Sequence, residues 1–117
     1  MLNQVVMVGR ITNDFELEDT NTGGKRANVT LAIPRSFKNK EGEYDTDFIT
    51  CTLWDSVAER TKEYCRKGDI VGIKGRLASN TDEKENGETR YYTNVVAEKI
   101  TFLSSKDYNK SDQEQER

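Results

Sequence analysis

Residues 47–54 read Asp-Phe-Ile-Thr-Cys-Thr-Leu-Trp, DFITCTLW, and this stretch decides the fold. Its side chains alternate with period two, the pattern of a half-buried strand. Ile49, Cys51 and Leu53 fall on one face, while Phe48, Thr50, Thr52 and Trp54 fall on the other. An aliphatic face belongs against a core. The opposite face then carries two large aromatics separated by small hydroxyls. Directly behind it, residues 56–67 carry the one helical pattern in the chain. Ser56 with Glu59 fits a capping box. Val57, Ala58, Thr61, Tyr64 and Cys65 follow helical spacing and predict one buried stripe. Arg66 and Lys67 suit the negative end of the helix dipole, and Gly68 stands where a C′ glycine is expected.

Working outward from this strand-helix pair, Arg26–Ile33 reads as the preceding strand. Ala27, Val29, Leu31 and Ile33 alternate with Asn28, Thr30 and Ala32. Pro34 lacks an N–H and should end regular pairing or sit at an edge, and Lys38–Tyr44 reads as a charged turn around Gly42. Further back, Asn3–Ile11 is the first strand. Val5, Met7, Gly9 and Ile11 share one face and Val6 and Val8 the other, so burial on both sides is expected. Residues 19–26 read as a loop punctuated by Gly23-Gly24. Beyond the helix, Ile70–Leu77 is the fourth strand, with Val71, Ile73, Gly75 and Leu77 pointing one way and Gly72, Lys74 and Arg76 the other. Residues 78–90 predict a protruding hairpin with Asn86-Gly87 as a turn pair. Tyr91–Leu103 is the fifth strand, and residues 104–117 lack an apolar pattern and read as a short disordered polar tail. Tyr91 and Tyr92 fall on opposite faces of that strand, so at most one should be exposed to a ligand. Five strands with one helix between the third and fourth predict an all-β chain. The order is that of an OB-fold, a five-stranded Greek-key barrel, over residues 1–103.

Composition narrows the function classes. The chain has 117 residues, 33% hydrophobic and 33% charged, which suits one small domain with large solvated loops. No stretch approaches the roughly 18 apolar residues of a membrane span. The start, Met-Leu-Asn-Gln, has no basic segment followed by an apolar one, so a cytoplasmic protein without an export signal is expected. Histidine is absent, which removes the commonest general base and the commonest zinc ligand. Cys51 and Cys65 both fall on apolar stripes and read as buried thiols, so neither a metal nor another cofactor is expected. The net charge of −3 argues mildly against a nucleic-acid partner. However, residues 1–80 carry 12 Lys/Arg and 12 Asp/Glu, so the negative excess sits in the hairpin and tail. A neutral body can still display a basic face, because local potential governs binding.

The sharpest chemical feature is the set Phe37, Phe48 and Trp54. A base stacks on an aromatic side chain without sequence choice, worth about 1–3 kcal/mol per base. Lys and Arg beside such a platform would track phosphates, and the candidates are Arg10, Arg35, Lys38, Lys74 and Arg76. The plainer alternative for Phe48 and Trp54 is a second packing layer or a subunit interface. Glu16, Glu18 and Asp19, or Asp45 and Asp47, could bind a metal or form an acid/base pair. They lie in hydrophilic, turn-like stretches, and no nucleophile, base and orienting group can be assembled without His. A non-enzymatic binding protein is therefore expected.

At this point the residues resemble a known family. MLNQVVMVGRITNDFEL, NVTLAIPRSF, DFITCTLWDSVAERTKEYCRKGDIVGIKGRL and RYYTNVVAEKITFL resemble, in order, bacterial and phage single-stranded DNA-binding proteins. The resemblance spans about residues 1–103 and is more specific than any one motif. It implies an OB-fold, usually a homotetramer, that wraps and protects single-stranded DNA in replication, recombination and repair. It also implies stacking at Phe37, Phe48 and Trp54. Family members often have Trp at the first two of these positions and Phe at the third; here the identities are exchanged and aromaticity survives. A fourth stacking position falls by spacing on Asp82, within acidic residues 82–88, where this chain departs from the family pattern. The family's acidic tail with a Pro-Phe tip, which recruits replication and repair proteins, is not matched by the ending Gln115-Glu116-Arg117. The second reading is an accessory paralogue that acts mainly as a protein-interaction OB module.

Overall fold

The computed structural model describes residues 1–105. Six strands and one helix follow in the order β1 (Val5–Ile11), β2 (Glu18–Asp19), β3 (Lys25–Lys38), β4 (Tyr44–Trp54), α1 (Asp55–Tyr64), β5 (Ile70–Glu83) and β6 (Thr89–Ser104). The sheet order is β1-β5-β6-β4-β3-β2, and β1 also pairs with β3. That extra pairing closes the five long strands into a barrel, the OB-fold expected from the strand order. The expected third and fourth strands are β4 and β5 here, because the two-residue β2 was read as loop. It is too short to show a period and is fixed only by its partners, Glu18 opposite Arg26 and Asp19 opposite Lys25.

The core follows the alternation of the strands. Ile11 of β1, Ala27, Val29 and Leu31 of β3, Cys51 and Leu53 of β4, Val71 and Ile73 of β5, and Val95 and Ala97 of β6 are all buried. Full burial of a Val or Leu contributes about 1.5–3 kcal/mol, so this inward-facing set fixes the register of every long strand. Gly75 faces the same interior because the Val96 backbone runs against it. A Cβ there would stand 2.2 Å from the Val96 carbonyl oxygen. Burial also pushes the Cys51 thiol up to about 11, so it behaves as a small apolar side chain. Phe15, in the loop after β1, joins the core, with the Lys62 ammonium over its ring at 5.5 Å.

Several expectations are corrected. The first strand starts at Val5 rather than Asn3, whose side-chain amide instead exchanges hydrogen bonds with the Leu77 backbone at 2.8 and 2.9 Å. Val6 and Val8 are exposed, so burial on both sides of β1 is not seen among the described residues. β3 runs past Pro34 to Lys38, although the ladder with β4 loses its register there. The Ser56–Glu59 capping box does not form. Trp54 holds the N-cap position without a side-chain cap bond, and Ser56 already lies inside the first turn. Asp55 starts the helix with a φ of 49°, and its Oδ1 accepts from the Lys25 amide at 3.0 Å. The helix ends at Tyr64 because Cys65 is extended, so Gly68 is not its C′ residue. Gly68 keeps a left-handed φ of 97° in the following turn and donates to the Ile11 carbonyl. Tyr64, expected in the buried stripe, is 65% exposed, while Ala58 and Thr61 are buried.

The second hairpin is also longer than read. β5 and β6 pair out to Glu83 and Thr89, with a loop of residues 84–88 rather than a two-residue turn. Gly87 supplies its positive φ of 85°. Beyond the Leu77–Val95 pair this ribbon leaves the barrel, and its faces no longer meet the core. Leu77, on the same side as Val71 and Ile73 by alternation, is exposed at the root of the ribbon opposite buried Val95, and Tyr91 and Tyr92 are both open to solvent. Residues 106–117, most of the expected disordered tail, lie outside the described residues.

Candidate nucleic-acid interface

The outer face of the barrel wall can be built strand by strand from the register. β3 and β4 set Arg26 opposite Trp54, Asn28 opposite Thr52, Thr30 opposite Thr50 and Ala32 opposite Phe48. Opposed residues of an antiparallel pair point the same way, so these eight side chains share one surface. Phe48 and Trp54 stand at its two ends, 66% and 40% exposed. They are six residues apart along β4, so about 20 Å separates them. Leaving them in water forfeits about 1.5–3 kcal/mol of burial each, and the threonines between them keep the surface open. The packing-layer alternative for these aromatics finds no covering element among the described residues.

Hydrogen bonds run across the middle of the surface. The Thr52 hydroxyl donates to Asn28 Oδ1 at 3.2 Å and accepts from Asn94 Nδ2 at 3.2 Å, and Asn80 donates to Asn94. This ladder links β3, β4, β6 and β5 and separates two clefts. One is bordered by Trp54, Arg26, Asn28 and Tyr92, the other by Phe48, Thr50, Leu77 and Thr93. A third cleft, between α1 and β6, is bordered by Arg60, Tyr64 and Phe102 and lies off this surface.

The remaining expected residues distribute unevenly. Phe37 is 65% exposed near the tip of the β3–β4 hairpin, where Lys38 lies 5.8 Å from the Tyr44 ring. Arg10 faces Ala32 and so falls in the row of Phe48, but its guanidinium donates to the Gly68 carbonyl at 2.6 Å. Arg76 faces Val96, which pairs with Thr52, so it lies in the row of the ladder two strands from β4. Lys74 stands between Val6 of β1 and Lys99 of β6. The topology does not bring it beside the aromatics. Arg35 is bound to Asp47 through Nη2 at 2.9 Å and Nε at 3.2 Å, with Asp45 at 3.9 Å. Asp47 is held below the usual carboxylate range by this guanidinium, and Arg35 is raised by the same bond.

Sequence reading missed Tyr44, Arg26 and the asparagine ladder, and did not separate Tyr92 from Tyr91. Arg26 lies 5.9 Å from the centre of the Trp54 ring, close enough for a cation–π contact. The carboxylates weighed as a metal or acid/base site are occupied otherwise: Asp45 and Asp47 face Arg35, Glu18 faces Arg26, and Asp19 faces Lys25. Among the described residues, no group of three or more His, Cys, Asp or Glu could hold a metal ion. No helix among them is long and apolar enough to cross a membrane.

The wall that carries these aromatics matches a known pattern. Residues 2–103 match the family described as the single-strand binding protein family. The chain is 45% identical over 111 residues to single-stranded DNA-binding protein B of Bacillus subtilis, covering 95% of this chain and 98% of that one. It is 42% identical over 106 residues to a single-stranded DNA-binding protein of Oceanobacillus iheyensis, covering 91% of this chain and 66% of the relative. A protein of the same name from Halalkalibacterium halodurans is 43% identical over 103 residues, and there the chain spans 61% of the relative's length. With the family pattern running through nearly the whole barrel, from before β1 to the end of β6, this chain belongs to the single-strand binding protein family.

Proposed function

We propose that this protein binds and protects single-stranded DNA without sequence choice, in replication, recombination and repair, and does so without catalysis. The observation that carries this reading is the exposed aromatic surface of β3 and β4, with Phe48 and Trp54 at its ends and hydroxyls and amides between them. Bases stack on Phe37, Phe48 and Trp54, whose π faces accept every base alike. Phosphates meet Arg10, Arg35, Lys38 and Arg76, with Lys74 further round the wall, and this contact makes binding weaken with salt. The family membership and the names of the relatives support the same ligand.

The working unit is a homotetramer in the cytoplasm. Exposed Val6 and Val8 on β1 support assembly. The Leu103 and Val8 side chains close over Gly72 on that wall, 3.8 and 3.9 Å from where its Cβ would be. Light scattering on the full chain reads the assembly directly, and a monomer at working concentration contradicts it.

Replacing Trp54 with Ala tests the stacking surface. Trp54→Ala should weaken oligo-dT binding by about 1–3 kcal/mol, roughly five- to 150-fold, in a folded variant. Unchanged affinity removes Trp54 from the site.

A further inference from the structure

Three of the four cations on β3, Lys25, Arg26 and Arg35, are bound to carboxylates of the same chain, and Lys38 has no ion pair among the described residues. Arg35 grips Asp47 with Nη2 at 2.9 Å and Nε at 3.2 Å to both carboxylate oxygens. At the Trp54 end of the aromatic surface, Arg26 Nη2 lies 2.7 Å from Glu18 Oε2 while its guanidinium faces the Trp54 ring. The neighbouring Lys25 is bound to Asp19. On β5 the pattern differs: Lys74 and Arg76 have no ion pair among the described residues.

A guanidinium fork binds carboxylate and phosphate in the same planar geometry. Asp47 and Glu18 therefore sit where a backbone phosphate would make its contact. Both pairs are solvent-exposed, with the Arg35 and Asp47 side chains each 43% accessible. Exposed pairs of this kind are weak and can be exchanged for a phosphate.

We infer that Asp47 and Glu18 are affinity-setting residues: internal substitutes for phosphate that occupy Arg35 and Arg26 in the free protein. This rests on the single-strand binding reading above. The first guanidinium contacts with DNA are then exchanges of one anion for another. They add less affinity, and less salt dependence, than an unpaired cation would. Net phosphate neutralisation in the wild type comes from residues such as Arg76 instead.

A double-mutant cycle tests this, with oligo-dT affinity measured across a salt series for the full chain. Asp47→Asn should bind severalfold more tightly than wild type. Its plot of log affinity against log salt should steepen by about 0.7, the value for one more phosphate contact on a single strand. Arg35→Gln should change that slope little in the wild type but abolish the gain in the Asp47→Asn background. A gain that survives without Arg35 would come from the removed negative charge alone and would overturn the inference. So would an Asp47→Asn protein with wild-type affinity and slope. Glu18→Gln, at the Trp54 end of the aromatic surface, repeats the test if loss of Asp47 disturbs the β3–β4 hairpin. If the wild-type chain itself binds no oligo-dT, the single-strand reading fails and this inference with it. If the wild type binds and the variants do not differ, only this inference fails.

Discussion

Trp54 is held and offered at once. Arg26 covers part of its indole at 5.9 Å, yet 40% of the residue stays exposed. A base arriving there meets an indole whose position is already restrained, so little side-chain entropy remains to be lost on stacking. The Arg35–Asp47 contact is the other decisive pair, and its behaviour with pH has a definite sign. The folded-state carboxyl of Asp47 lies below its ordinary 3.8 because Arg35 favours the charged form. The contribution of the pair is therefore intact above pH 3.8 and is lost as pH falls through the lower folded value. In an NMR titration the Asp47 carboxyl resonance should show a midpoint below 3.8 and return toward it in Arg35→Gln; a midpoint at 3.8 in the wild type contradicts the pair in solution. At this scale the β4 aromatics were legible, because period two alone separates Phe48 and Trp54 from Ile49, Cys51 and Leu53. Arg26 was not. Counting back from the Lys38–Tyr44 pair places Arg26 opposite Ser56, but two extra residues of β3 between Pro34 and Lys38 shift it to Trp54. An irregularity at a proline without an N–H has no periodic signature.

At the scale of elements, the interior of each strand was readable and the ends were not. β5 alternates as expected through Gly75, then continues as a ribbon whose two faces both meet water, so Leu77, Tyr91 and Tyr92 escape the rule that one face is buried. Helix α1 shows the same limit. Its buried side at Ala58 and Thr61 follows the spacing, but the left-handed Asp55 starts it one residue before Ser56. A single Asp carries no visible mark of that backbone choice, although Asp tolerates it better than most residues. The β5–β6 hairpin carries the testable consequence. Asp82 pairs with Arg90 near its tip. Asp82→Trp should tighten oligo-dT binding by adding a stacking platform, worth up to about 1–3 kcal/mol if a base reaches it. No gain in a folded variant sets the hairpin apart from the bound strand.

For the whole molecule, barrel closure through β1–β3 is what turns scattered residues into one surface. The strands align Arg10, Ala32 and Phe48 in one row and Thr52, Val96 and Arg76 in another. Each row crosses three strands about 4.8 Å apart, so cations on β1 and β5 come within roughly 10 Å of β4. None of this convergence is visible along the sequence, where Arg10 and Phe48 are far apart. The net charge of −3 also stops being an obstacle at this scale. Part of the acid lies on the protruding hairpin, and part is folded onto Arg35, Arg26 and Lys25 as ion pairs. The account stands on one claim, that the outer wall of this barrel stacks the bases of single-stranded DNA. Trp54 is the only tryptophan in the chain, so its fluorescence reports that wall and nothing else. Titration with oligo-dT at low and high salt should quench it strongly, with more DNA needed at high salt. A signal unchanged at saturating oligo-dT, with no binding by fluorescence anisotropy of labelled DNA, would contradict the account.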